Sequence, residues 1–193
     1  MHHIYHTEGI ILESRSFGEA GKYYSIFTRD LGMIFASAQG VRKMSSKLRY
    51  VLSDFACVKV DLVRGANFWR LTSASKTNSL ENLPKHLPAF KILNNISRLL
   101  KRLLAGEDAN PELYEDVIGG LTILEKADTP EEFSNIEAIM VLRILSNLGY
   151  VGGDAAFLEL VKSPFEKELI FEAAKKRAQI LKEVNRALKQ THL

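Results

Sequence analysis

The hydrophobic period of this chain changes near residue 81, and that change constrains the fold more than any other feature. Before it, short apolar runs alternate with glycine turns. Tyr5 to Phe17 is predicted as a first strand centred on Ile10, Ile11 and Leu12, with Gly18-Glu19-Ala20-Gly21 as its turn. Lys22 to Thr28 is β-branched and aromatic enough for a second. Asp30-Leu31-Gly32 turns tightly, and Met33 to Ala38 returns as a third. Phe55 to Val63 alternates well: Val58, Val60 and Leu62 share one face, Lys59 and Asp61 the other. Arg64-Gly65-Ala66-Asn67 turns into a fifth strand, Phe68 to Ser73. Five short strands linked by glycine turns suggest a small closed barrel. A five-stranded OB-type barrel is the economical choice, and an SH3-like barrel fits the pattern nearly as well.

After Glu81 the period becomes helical. Leu83-Pro84-Lys85-His86-Leu87-Pro88 reads as a linker. Phe90, Leu93, Ile96, Leu100, Leu103 and Leu104 then form one apolar stripe, ending near Ala105-Gly106. Asn110-Pro111 supplies an N-cap and an N1 proline for a helix through Val117, Leu121 and Leu124. Thr129-Pro130-Glu131-Glu132 is a capping box whose helix runs to Leu148, with Gly149 placed to end it. Ser163-Pro164-Phe165-Glu166 is a second such box, opening a long final helix rich in Lys and Ala. The predicted class is therefore α+β: an N-terminal barrel over residues 1–80, then an all-α helical bundle over 81–193.

Composition narrows the chemistry. With 46% apolar residues the chain can bury a real core, and no run of about 18 apolar residues exists to span a membrane. The start, Met1 to His6, lacks the layout of a signal peptide. Cys57 is the single cysteine and sits in an apolar run, so neither an internal disulfide nor a thiolate zinc cage is available. A cytoplasmic protein with a buried thiol is the natural reading. His2, His3 and His6 have only Glu8 nearby to complete a metal shell, and His86 and His192 have no partners in sequence. No Gly-x-Ser-x-Gly elbow occurs, nor a motif tying Cys57 to a histidine. Gly149 to Gly153 has glycines without the P-loop lysine or its strand. No enzyme, metal or cofactor is expected.

The signal that survives is charge. Net charge is +3, but residues 1–80 hold eleven Lys/Arg against six Asp/Glu, while residues 81–193 hold fifteen against seventeen. Within the first half, Arg42, Lys43, Lys47 and Arg49 cluster after Gly40 with no acid among them. Such a segment attracts phosphates. Arg15, Lys22, Arg64 and Arg70 fall where a barrel can present them on a shared rim. OB barrels bind single strands on the face of strands 2 and 3 and the flanking loops, here Ser16–Lys22 and Arg64–Asn67. Stacking needs aromatic platforms, for which Tyr23 or Tyr24, Phe35 and Phe68 are candidates. A small barrel needs large side chains inside, so each is read first as core. Alternation nevertheless turns one of Tyr23 and Tyr24 outward. Lys91, Arg98 and Arg102 on the first long helix read as a solvated face. The cations of the last helix, among them Lys175, Arg177, Lys182, Arg186 and Lys189, suit its dipole.

Taken in order, these segments resemble a known family. Glu8 to Leu12, Ile26 to Gly32, Ala38 to Lys43 with Ser46 to Arg49, Leu100 to Asp108 before Asn110 to Tyr114, and Leu142 to Tyr150 are similar to the RecO recombination-mediator family. The resemblance implies an OB domain followed by a helical domain that docks partners. It implies binding of single- and double-stranded DNA, annealing of complementary strands, and help in loading recombinase onto DNA coated by single-strand-binding protein. It also implies two protein partners, a RecR-type ring and the C-terminal tail of single-strand-binding protein. The family's basic segment falls on Arg42, Lys43, Lys47 and Arg49. Many members place a four-cysteine zinc module after the Leu-Gly-Tyr segment, where this chain has Val151-Gly152-Gly153-Asp154 and then helix. Two rivals stand beside this reading: an OB domain that binds RNA, and a scaffold whose helical half docks proteins while the barrel merely folds.

Overall fold

A computed structural model of the 193-residue chain describes residues 3–77, 80, 82–152 and 155–191. His2, Glu81, Gly153, Asp154 and His192, which figure in the sequence reading, lie outside the described residues. The chain divides into two compact units, Met1–Glu81 with Leu104–Pro111, and Asn82–Leu103 with Glu112–Leu193.

In the first unit, β1 (Ile4–Phe17), β2 (Gly21–Thr28) and β3 (Gly32–Ala38) form an antiparallel meander. A short helix, α1 (Leu48–Val51), precedes β4 (Cys57–Arg64) and β5 (Trp69–Lys76). The strands close in the order β1-β2-β3-β5-β4, with β1 pairing β4 and β3 running parallel to β5. This is an OB-type Greek-key barrel, and it settles the choice between the two barrels that fit the sequence pattern. Alternation in β4 holds as read: Val58, Val60 and Leu62 are buried, Lys59 is exposed. The interior is filled by Ile11, Tyr24, Ile26, Ile34 and Trp69, among others. Cys57 is buried at the start of β4.

Two glycines are required by geometry. Gly32 begins β3 at φ 68°, and a Cβ there would meet the backbone oxygen of Asp108 at 2.4 Å. Gly40 ends the third strand's run at φ 69°. The turn before Gly32 is tied by Thr28, whose hydroxyl donates to the Gly32 carbonyl at 2.8 Å and accepts from the Leu31 amide.

The second unit holds α2 (Leu87–Leu103), α3 (Pro111–Leu124), α4 (Pro130–Asn147), α5 (Leu158–Lys162) and α6 (Lys167–Gln190). Ile139, Leu142, Leu145, Leu160 and Ile180 lie in one apolar cluster. The box at Thr129 forms in full: its hydroxyl accepts from the Glu132 amide, and the Glu132 carboxylate accepts from the Thr129 amide. Gly149 follows the end of α4 at φ 80°, and the Tyr150 amide donates back to Leu145 at 2.8 Å. The second box does not form. Ser163 is the C-cap of α5, Glu166 is the N-cap of α6, and Glu166 makes no side-chain cap bond. The backbone there is held by Arg143, a buried guanidinium that bonds the carbonyls of Leu160 and Ser163 and the carboxylate of Asp116. Burial alone pulls the Arg143 pKa down, while Asp116 opposes that shift. No helix among the described residues is long and apolar enough to cross a membrane.

Candidate nucleic-acid interface

Cross-strand register builds one row on the outside of the barrel. Arg15 pairs with Tyr23, Tyr23 with Ser37, and Ser37 with Arg70. Partners in register point to the same face, so Arg15, Tyr23, Ser37 and Arg70 form one row across four strands, with Arg15 next to Tyr23 and Arg70 beyond Ser37. The first question left by the sequence has a clear answer: Tyr23 is 37% exposed and Tyr24 is 1% exposed. Phe35 and Phe68, read first as core, are both exposed instead. The interior is already occupied by Tyr24, Trp69 and the aliphatic side chains, so these two rings remain outside.

Three aromatic rings adjoin on that outer face. Phe17 stacks on Tyr23 with ring centroids 4.2 Å apart, and Tyr23 meets Phe68 at 5.3 Å. The sequence reading did not single out Phe17. Its signal is Gly21 directly opposite: a Cβ there would meet the Phe17 ring at 2.6 Å, so the glycine lets that ring lie over it on the outer face. The turns between β1 and β2 and between β4 and β5 thus bring Phe17 and Phe68 to the two sides of Tyr23.

The basic segment is more ordered than a loop. Its backbone runs through successive turns: the amide of Lys43 donates to Gly40, that of Ser46 to Lys43 and that of Arg49 to Ser46. Val41 and Leu52, each 2% exposed, anchor it in the barrel core, with Leu48 and Val51 packed beside them. The Arg42 amide donates to the Ala20 carbonyl at 3.0 Å, and its guanidinium reaches the Gly18 carbonyl. Lys43 and Lys47 are exposed, and Lys47 stands at the N-cap of α1. Arg49 donates to the Met44 sulfur at 2.7 Å and lies over the Tyr50 ring.

The remaining cations divide. Lys22 is half-buried and donates to the Ser14 hydroxyl at 3.1 Å. Arg15 pairs with Glu13 at 2.8 Å; Arg15 is exposed and Glu13 half-buried. Arg64 is engaged: it pairs with Glu107 and lies 4.8 Å from the Trp69 ring centroid, and Glu107 also accepts from the Trp69 indole N–H at 3.0 Å. Among the described residues, Lys22, Arg42, Lys43, Lys47, Arg49 and Arg70 have no carboxylate partner.

Below α1 the barrel mouth opens into a cleft of ≈580 Å³, lined by Lys22, Tyr24, Arg42, Arg49, Ser53 and Asp54, with Val41, Met44 and Leu52. The Tyr24 hydroxyl is buried and has no hydrogen-bond partner among the described residues. Burial, and then the negative charge of Asp54, push its pKa up to about 12. No group of three His, Cys, Asp or Glu among the described residues is placed to hold a metal.

Fold and surface together define an OB-type barrel protein with a helical extension. Residues 1–80 match the family described as "Recombination protein O N terminal". Three similar proteins are each named DNA repair protein RecO. The one from Caldanaerobacter subterraneus subsp. tengcongensis is 28% identical over 145 residues, 75% of this chain and 58% of the relative. That from Rubrobacter xylanophilus is 29% identical over 76% of this chain and 58% of the relative. One from Dehalococcoides mccartyi is 30% identical over 67% of this chain and 51% of the relative. The chain belongs to the RecO family, and it spans a little over half the length of these relatives.

Proposed function

We propose that this chain is a non-enzymatic, DNA-binding mediator of DNA repair and homologous recombination. In this reading the barrel holds single- and double-stranded DNA, anneals complementary strands, and helps load recombinase onto DNA coated by single-strand-binding protein. The observation that carries it is the Phe17–Tyr23–Phe68 row on a barrel whose Lys22, Arg42, Lys43, Lys47, Arg49 and Arg70 have no carboxylate partner among the described residues. Stacking on such rings contributes about 1–3 kcal/mol per base without regard to sequence. Arg15 and Arg70 in the same row as Tyr23, and Lys22, Arg42, Lys43, Lys47 and Arg49 on and beside the α1 segment, follow the phosphates. Arg64 acts through its Glu107 pair as an anchor of the barrel. Annealing requires two strands to have their charge screened while their bases stay free, which a cationic surface with flat rings provides.

The helical unit is read as the docking platform for a RecR-type ring and for the acidic tail of single-strand-binding protein. Support comes from a cleft of ≈880 Å³ along α6, lined by Phe157, Lys182, Lys189 and the Arg186–Glu183 pair among others, which joins apolar surface to a small excess of cations.

The test is fluorescence anisotropy of a labelled single-stranded oligonucleotide across a salt series. The logarithm of affinity is expected to fall linearly with that of salt, and Arg42→Ala with Lys43→Ala should flatten the slope by about 1–1.5 while weakening all sequences alike. Unchanged affinity and slope would remove the α1 segment from the site. Tighter binding to RNA of the same sequence would favour the RNA rival. No binding at low salt would leave the helical unit and its protein partners as the main business of the chain.

A further inference from the structure

We propose that the cleft below α1 is a subsite for a terminal phosphate, one that seats the phosphomonoester end of a nucleic-acid strand rather than an internal phosphodiester. The inference rests on the reading that a strand lies across the barrel.

Three cations, Lys22, Arg42 and Arg49, line the cleft against one carboxylate, Asp54, which leaves a formal charge of +2. An internal diester brings a single negative charge and two ester substituents, both of which must leave again. A terminal monoester near neutral pH carries a charge of about −1.5 to −2 with one substituent and three free oxygens. Charge and shape both favour the second. Val41 and Leu52 close the cleft toward the barrel core, so a group enters from outside and stops there.

Tyr24 lines the same cleft; it is 1% exposed, and its hydroxyl is buried without a hydrogen-bond partner among the described residues. A hydroxyl buried in this way is costly unless a ligand supplies the missing acceptor. A tyrosine hydroxyl is protonated at neutral pH, so it is a donor there. Ser53 lines the same space and carries a second hydroxyl. Asp54 opposes an anion, which limits affinity for free phosphate and makes the site depend on the strand's other contacts. The outer row of Arg15, Tyr23 and Arg70 has no such enclosure and suits the diesters of a passing backbone.

The experiment compares 193-residue protein binding to one oligonucleotide sequence, carrying a hydroxyl at both ends, a 5′-phosphate, or a 3′-phosphate, with the label internal. One phosphorylated end is expected to bind roughly tenfold tighter than the hydroxyl form, since a charge-assisted bond to a buried donor is worth that much. Which end gains assigns the strand polarity. Tyr24→Phe should bring the ratio of the two affinities close to one. Arg49→Ala, at an exposed position, should also shrink it if Tyr24→Phe disturbs the barrel. Asp54→Asn should enlarge it. A 5′-mononucleotide that erases the preference at low concentration would show the cleft serving free nucleotides, with the same phosphomonoester chemistry. Equal affinity for all three strands, with the salt slope intact, would overturn the subsite and leave the proposed DNA-binding face standing. Failure to bind any strand would overturn both.

Discussion

The Tyr24 hydroxyl is removed from water and meets no partner among the described residues, so ionising it is doubly penalised, by burial and by Asp54. Its folded pKa of about 12 lies above the ordinary 10.0. For a group shifted upward, the stabilising contribution is complete below the unfolded value and is lost as pH rises toward the folded one. The barrel is therefore expected to lose stability between pH 10 and about 12. In a spectrophotometric titration, an ionisation step near pH 12 should be missing in Tyr24→Phe. Tyr23, one residue away, shows what the sequence could and could not tell. Alternation demands that one of the pair face out, but two tyrosines side by side carry no sign of phase. Pairing sets the phase: Tyr24 stands between Ser14 and Ala36, and Tyr23 between Arg15 and Ser37. The register of β1 is itself shifted between Ile11 and Glu13, a bulge that no hydrophobic pattern announces.

At the scale of elements, the strands and the long helices were legible because each repeats its pattern over several periods. The α1 turn was not, since four residues give less than two helical turns and no stripe to read. Its cations were visible as composition; its anchoring by Val41 and Leu52 was not. The two capping boxes look alike in sequence and differ in outcome: Thr129 caps α4, whereas Ser163 ends α5 and the N-cap of α6 falls on Glu166. Where Thr129 caps α4, replacement by Ala is expected to cost about 1 kcal/mol, with Thr129→Ser retaining most of it, as read by urea unfolding. The same box holds the Glu132 carboxyl below its usual range through the amides of Asp128 and Thr129. Its contribution is thus present at neutral pH and lost as pH falls through the lowered value.

At the scale of the whole molecule, the barrel unit is not one stretch of chain. The segment Leu104–Pro111 belongs with it by contact although helix α2 intervenes in sequence. The parallel ladder between β3 and β5 spans only Ala36 with Trp69 and Ser37 with Arg70. Beyond that ladder the Met33 amide bonds the Gly106 carbonyl at 3.0 Å, and Glu107 ties Arg64 and Trp69. Glu107→Ala leaves the buried Trp69 indole N–H without its acceptor. It is expected to destabilise the barrel by about 1–3 kcal/mol, read through the emission of the single tryptophan. A sequence pattern cannot reveal such a return, because residues 104–111 follow a helical stripe without any strand signal of their own.

This return has a consequence for biosynthesis. Domains tend to fold as they leave the ribosome, amino-terminal parts first. Here all five strands are translated before the residues that complete the β3–β5 seam, which follow only after α2. A nascent chain paused behind β5 carries a complete set of strands with an open edge at Met33. The finished barrel is therefore timed by translation of the first long helix of its neighbour.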